Sequence, residues 1–156
     1  MWRFQGPDSY PLPYIQNCIS SLHGKVIFST IDLVKAYHQI SVTAKDVPET
    51  TITSSFGRFE FFLMSFGLQN AAQTFNGFID PDLHDLDFVC VYIGDLLIAS
   101  NSLENHYKHL EEVVHRLDEY GVMMNPPKCQ FGHTEVKFPI HLITPVTFSY
   151  QTPKNN

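Results

Sequence analysis

The chain has 156 residues, 44% apolar and 13% aromatic, with a formal charge of −6. A single domain of this size buries about two thirds of the surface its unfolded chain exposes, so these proportions support a packed core and argue against a disordered chain. The acidic balance argues against a protein that grips nucleic acid through a basic surface of its own, and no apolar run approaches the ~20 residues that span a bilayer.

Residues 1–13 are turn-rich and carry no period. Tyr14, Ile15, Cys18, Ile19 and Leu22 then recur at helical spacing, and Gly24 stands where that helix should end. "KVIFSTID" predicts a β-branched strand that stops at Asp32. From Thr50 to Met64 the residues alternate around a Ser-Phe-Gly turn, which predicts a hairpin. A short helix follows, packing Ala71, Ala72, Phe75 and Phe78 and interrupted at Pro81. A second hairpin runs from Phe88 to Ser100, hinged on Gly94 and Asp95.

The clearest helix comes next. Ser102 is its N-cap, Glu104 suits the positive end of its dipole, and Gly121 closes it. Leu103, Tyr107, Leu110, Val113, Val114, Leu117 and Tyr120 form its expected apolar face. "NPPKCQFG" and "TEVKF" predict a turn and a strand, and residues 139–156 carry three prolines and no strong period. Strand, helix, hairpin, helix, strand is the order of a split βαβ unit, an α+β fold whose antiparallel sheet carries two helices on one face.

In such a sheet Asp32 and Asp95 end neighbouring strands on one edge. Carboxylates held there suit magnesium or manganese, and two such ions ~3.5–4 Å apart serve phosphoryl transfer. Spacing alone leaves a plainer alternative open, in which Asp32 caps a helix and Gly94-Asp95 merely turns a hairpin. His106, His109 and His115 invite a zinc reading, but with no cysteine or fourth ligand near they fit a polar helix face better. His38 reads as a packing or template-side residue, and Glu111, Glu112, Asp118 and Glu119 as a solvated face. The three cysteines, Cys18, Cys90 and Cys129, form no C-x-x-C pair, and with no signal-like N-terminus they fit a reduced, intracellular setting.

Four stretches, "YPLPYIQNCISSLHGKVIFSTIDLVKAYHQI", "FGRFEFFLMSFGLQNAAQTF", "VYIGDLLIAS" and "NPPKCQFGHTEVKF", follow one another in an order and spacing that resembles a reverse transcriptase of gypsy-type long-terminal-repeat retrotransposons. The resemblance covers residues 10–138, after a leader of residues 1–9 and before a divergent tail of residues 139–156 expected to be disordered. It implies a polymerase palm with a ferredoxin-like sheet and a partial fingers hairpin. It also implies RNA-directed DNA synthesis with magnesium or manganese, on an RNA or DNA template with primer and deoxynucleoside triphosphates.

By that resemblance Asp32 and Asp95 are catalytic metal ligands, and the Leu33 carbonyl touches the nucleotide-bound ion. Tyr37 is the aromatic gate against a ribose 2′-hydroxyl, Phe66, Gly67 and Asn70 line the floor under nucleotide and template, and Lys128 protonates departing pyrophosphate. Each also has a plain reading: core tyrosine, loop glycine, helix cap or solvated lysine. The family's Y-x-D-D reads here Tyr92, Ile93, Gly94, Asp95, so glycine replaces a principal metal ligand. Ser65 stands for a usual proline, and Pro139-Ile140 for a usual Leu-Gly. Basic fingers strands, thumb and ribonuclease H segments are missing from the pattern. The expectation is therefore an impaired polymerase palm, with weak nucleic-acid binding and a place in the cytoplasm or a retroelement particle. The alternative is a non-catalytic relic or a host-adopted binding module.

Overall fold

The computed structural model describes residues 15–33, 40–64, 75, 77–79, 81, 83–139 and 141–145. Helix α1 spans Ile15–Ser21, and the chain turns through Gly24, whose φ of 84° is the left-handed conformation glycine permits. Strand β1 is Ile27–Asp32; β2 and β3 are Ile52–Ser54 and Gly57–Phe59; β4 and β5 are Val89–Tyr92 and Asp95–Ser100. Helix α2, Leu103–Glu119, leads to β6 (Gln130–His133), β7 (Val136–Phe138) and β8 (His141–Ile143). The last of these lies in the stretch whose sequence carries no period, and it pairs with β7. No described helix is long and apolar enough to cross a membrane.

Four strands form the main sheet in the order β4-β5-β1-β6, every neighbour antiparallel. Strand alternation sends Ile31, Val91, Leu96 and Ile98 to one face, where they pack with Val113 and Leu117 of α2 and with Phe75, Ile79 and Leu83. Phe28, Cys90, Leu97 and Ala99 point to the other face, against Ile19 of α1, Leu22 just after it, and Val136, Phe138 and Ile143 of β7 and β8. The central strands β1 and β5 are therefore covered on both sides, which is why they read as almost continuous apolar runs.

Four expectations change. Pro81 does not end helical structure: it and Leu83 are both helical, and Leu83 sits in the core with Phe75 and Ile79 at four-residue intervals. The buried stripe of α2 runs through His106, Leu110, Val113 and Leu117, rotated from the expected face. Leu103, Tyr107 and Tyr120 are exposed, because the line of closest approach to the sheet passes through His106. The third change is at the second hairpin, whose turn residues are Ile93 and Gly94, while Asp95 opens β5 opposite Tyr92. The fourth joins Cys18 of α1 to Cys90 of β4 in a disulfide across 72 residues of sequence, leaving Cys129 free.

The expected caps hold. Ser102 accepts the Asn105 N–H, and Gly121 (φ 68°) ends α2 as the Val122 N–H returns to the Leu117 carbonyl. The hairpin β2–β3 is shorter than its sequence pattern, and Phe61 to Met64 instead run beside Ile40 to Val42, with the Met64 N–H on the Ile40 carbonyl.

Candidate active site

Antiparallel pairing sets Asp32, the last residue of β1, directly opposite Asp95, the first of β5. Directly opposed residues project from the same face of a sheet, so the two carboxylates face one way, with Tyr92, the partner of Asp95 on β4, beside them. Two backbone bonds hold this edge. The Leu33 N–H donates to the Gly94 carbonyl over 3.0 Å, tying the end of β1 to the hairpin turn. On the other side the Asn125 N–H donates to the Asp32 carbonyl over 2.7 Å. That second bond brings in the 3-10 turn Pro126–Lys128, and with it the exposed Lys128.

The electrostatics follow from this crowding. Desolvation pushes the half-buried Asp95 carboxyl up to about 6, the negative charge of Asp32 pushes the same way, and the Lys128 ammonium opposes both. Two oxygen-donor side chains in mutual repulsion at a strand edge fit a hard divalent cation. Among the described residues no group of three His, Cys, Asp or Glu side chains forms a metal cluster. Among the described residues the pair stands without a third acid beside it.

The raised value fixes a sign. Folded Asp95 holds its proton until about pH 6, whereas the unfolded carboxyl releases it near 3.8. Ionised Asp95 is thus a burden on the fold above pH 6 that disappears as the pH falls toward 4. In the absence of divalent cations, Asp95→Asn should raise the thermal midpoint at pH 7 by roughly 2–4 °C, a figure discounted for the solvent screening of a half-exposed group. Near pH 4 the two chains should unfold together. A lower midpoint for the variant at pH 7 would refute the repulsion.

Asp32, Leu33, Tyr92, Ile93, Gly94, Asp95 and Lys128 thus share one edge. Tyr37, Phe66, Gly67 and Asn70 lie outside the described residues. Sequence reasoning missed a second polar cluster, deep behind this edge: His106 is fully buried between Ser29 and Ser100, not on a polar helix face, and His109 joins it. A histidine four residues before Leu110 and seven before Val113 was the one available signal.

The family described as reverse transcriptase (RNA-dependent DNA polymerase) matches residues 2–143. The chain is 35% identical over 140 residues to the retrovirus-related Pol polyprotein from transposon opus of Drosophila melanogaster, a match that covers 88% of this chain and 14% of that one. It is 33% identical over 138 residues to the transposon Tf2-3 polyprotein of Schizosaccharomyces pombe, covering 87% of this chain and 10% of the relative. The chain therefore spans only a small part of the relatives it matches. Among solved structures, foamy viral protease-reverse transcriptase in complex with RNA/DNA hybrid superposes with a TM-score of 0.83 at 22% identity, over 88% of this chain and 19% of that one, a likeness of fold. The match runs through both strands that carry the paired aspartates, and the chain belongs to the reverse transcriptase (RNA-dependent DNA polymerase) family.

Proposed function

We propose that this chain is the palm, with a partial fingers hairpin, of a gypsy-type retrotransposon reverse transcriptase, and that its polymerase chemistry is impaired at Gly94. The observation that carries the proposal is the direct opposition of Asp32 and Asp95 at the edge of the sheet. The strand order β4-β5-β1-β6, with α2 and the helical residues around Phe75 on one face, supports a split βαβ, ferredoxin-like palm.

In this reading Asp32, Asp95 and the Leu33 carbonyl hold magnesium or manganese. An ion held there would supply positive charge for the attacking 3′-oxygen of the primer and for the departing pyrophosphate. Asp32 and Asp95 position that charge; Lys128 stands on the same edge to give a proton to the leaving group. Tyr37 screens the sugar of the incoming deoxynucleoside triphosphate, while Phe66, Gly67 and Asn70 support nucleotide and template. The backbone bond from Leu33 to the Gly94 carbonyl keeps strand end and turn together, so the turn keeps its place although its acid is gone.

Primer extension on an RNA template, with magnesium and then manganese, tests the proposal on this chain beside its Gly94→Asp variant. Little extension by the parent and a gain in the variant is the expected outcome. Extension by the parent that survives Asp32→Asn would overturn the assignment of Asp32. Silence from both chains would count against a polymerase reading of this chain acting alone.

A second reading, a non-catalytic module that keeps the fold, is favoured by Gly94 and by the charge of −6. Either reading predicts weak, salt-sensitive binding to a primer–template. Nanomolar binding at physiological salt in a fluorescence anisotropy titration would contradict that prediction. We place the chain in the cytoplasm or in a retroelement particle on the same family grounds.

A further inference from the structure

Four side chains outside the carboxylate edge form one continuous hydrogen-bonded line through the core. Ser29 Oγ of β1 lies 2.6 Å from His106 Nε2, and His106 Nδ1 lies 2.8 Å from Ser100 Oγ of β5. The same Ser100 Oγ lies 2.7 Å from His109 Nδ1. Ser29, Ser100 and His106 are wholly buried. At one end the Gly132 N–H of β6 donates to Ser29 Oγ over 2.9 Å; at the other the His109 ring stacks on Phe88, centroids 3.7 Å apart.

The Gly132 amide is free to do this because β6 carries an extra residue there. Phe28 pairs with His133 and Thr30 with Gln130, a bulge with Gly132 at φ 65°. A hydroxyl has one proton to give and a neutral imidazole has one N–H. One assignment satisfies the whole line: Ser29 donates to His106 Nε2, His106 Nδ1–H donates to Ser100, and Ser100 donates to His109 Nδ1. A proton added at His106 Nε2 turns that acceptor into a donor. Ser29 then meets two donors, and its own proton loses its partner.

Among the described residues no carboxylate faces His106 to offset the new charge. The neighbouring His109 opposes it, and on His109 itself Lys25 opposes a proton while Asp87 favours one. Asp32 and Asp95 sit at the far end of the β1–β5 ladder, and His133 of β6 lies opposite Phe28, whose side chain belongs to the other face. Burial accordingly lowers the pKa of both imidazoles.

We infer that the Ser29–His106–Ser100–His109 line is an acid-released latch, which holds α2 on strands β1 and β5 while both imidazoles are neutral and loosens it on mild acidification. This does not depend on any polymerase activity. The unfolded imidazoles take up protons first, so stability falls as the pH drops through about 6.5 and levels off only when the folded ones also charge.

Thermal unfolding of the full chain at pH 7.5 and pH 5.5, beside His106→Gln, tests the latch. Glutamine can donate and accept but does not titrate. The parent should lose more between the two pH values than the variant, by roughly 3–6 °C for the one imidazole removed. Asp95 contributes a slope of opposite sign, but it does so in both chains and cancels from the comparison. Equal losses, or no loss in the parent, would overturn the inference. Should His106→Gln fail to fold, the imidazole carbon and proton resonances of the folded parent decide. His106 is expected to titrate below the ordinary imidazole range, and an ordinary titration near 6.5 would overturn the latch.

Discussion

Gly94→Asp should raise metal-dependent primer extension about 10²–10³-fold over the parent chain, the range that one preorganised electrostatic partner commonly contributes. The reason is local. Asp32 and Asp95 already oppose each other across the ladder, and the Leu33 N–H already holds the Gly94 carbonyl, so the new carboxylate joins an edge that is in place. The gain has a backbone cost. Gly94 has φ 82°, a conformation that aspartate tolerates better than most residues at roughly 1 kcal/mol. Its neighbour Ile93, β-branched, sits at φ 40° with no such excuse. A third acid also adds repulsion at an edge where Asp95 is already held up near 6.

The same preparation should therefore extend primers faster and melt roughly 2–4 °C lower without divalent cations, with part of that loss recovered by manganese. Unchanged extension at an unchanged midpoint would mean that the acid at position 94 is not limiting. A gain in extension that persists in Gly94→Asp with Asp32→Asn would show that the carboxylate pair is not the seat of the chemistry.

Why the edge was legible and the latch was not is a matter of range. A strand ending in Asp32 and a hairpin holding Asp95 are local patterns that put both acids at one edge of the sheet, and the β1–β5 register then sets them on the same face. The turn between β4 and β5 was misplaced by one residue because glycine rules favour Gly94 as the first turn position. Both turn residues need positive φ here, and the chain sets isoleucine in the first of them. Pro81 reads as a breaker because a proline inside a helix usually is one. The burial of His106 has only one faint local sign, its helical spacing to Leu110 and Val113. It depends on Ser29, 77 residues away, meeting the helix across the sheet, and the Cys18–Cys90 bond depends on a contact 72 residues apart. Long-range polar and sulfur contacts leave no period in a sequence, whereas apolar faces do.

Leu96→Ala should destabilise the chain by about 3–4 kcal/mol, lowering the thermal midpoint by roughly 10 °C. Leu96 has no exposure and is flanked across the ladder by Ile31 of β1 and Val91 of β4, with Ile98, Val113 and Leu117 in the same cluster. Truncation leaves a void on β5, which is paired on both sides, and such a site has little freedom to collapse. The site would feel it, because Leu96 follows Asp95 and faces the core beneath it. The contrast is Phe56, 91% exposed at the tip of the β2–β3 hairpin, where alanine should change the midpoint by no more than about 2 °C. Urea titrations of both variants separate the cases. If Leu96→Ala lost less than 1 kcal/mol, or Phe56→Ala lost as much, the core would not lie between α2 and the strands that carry the aspartates.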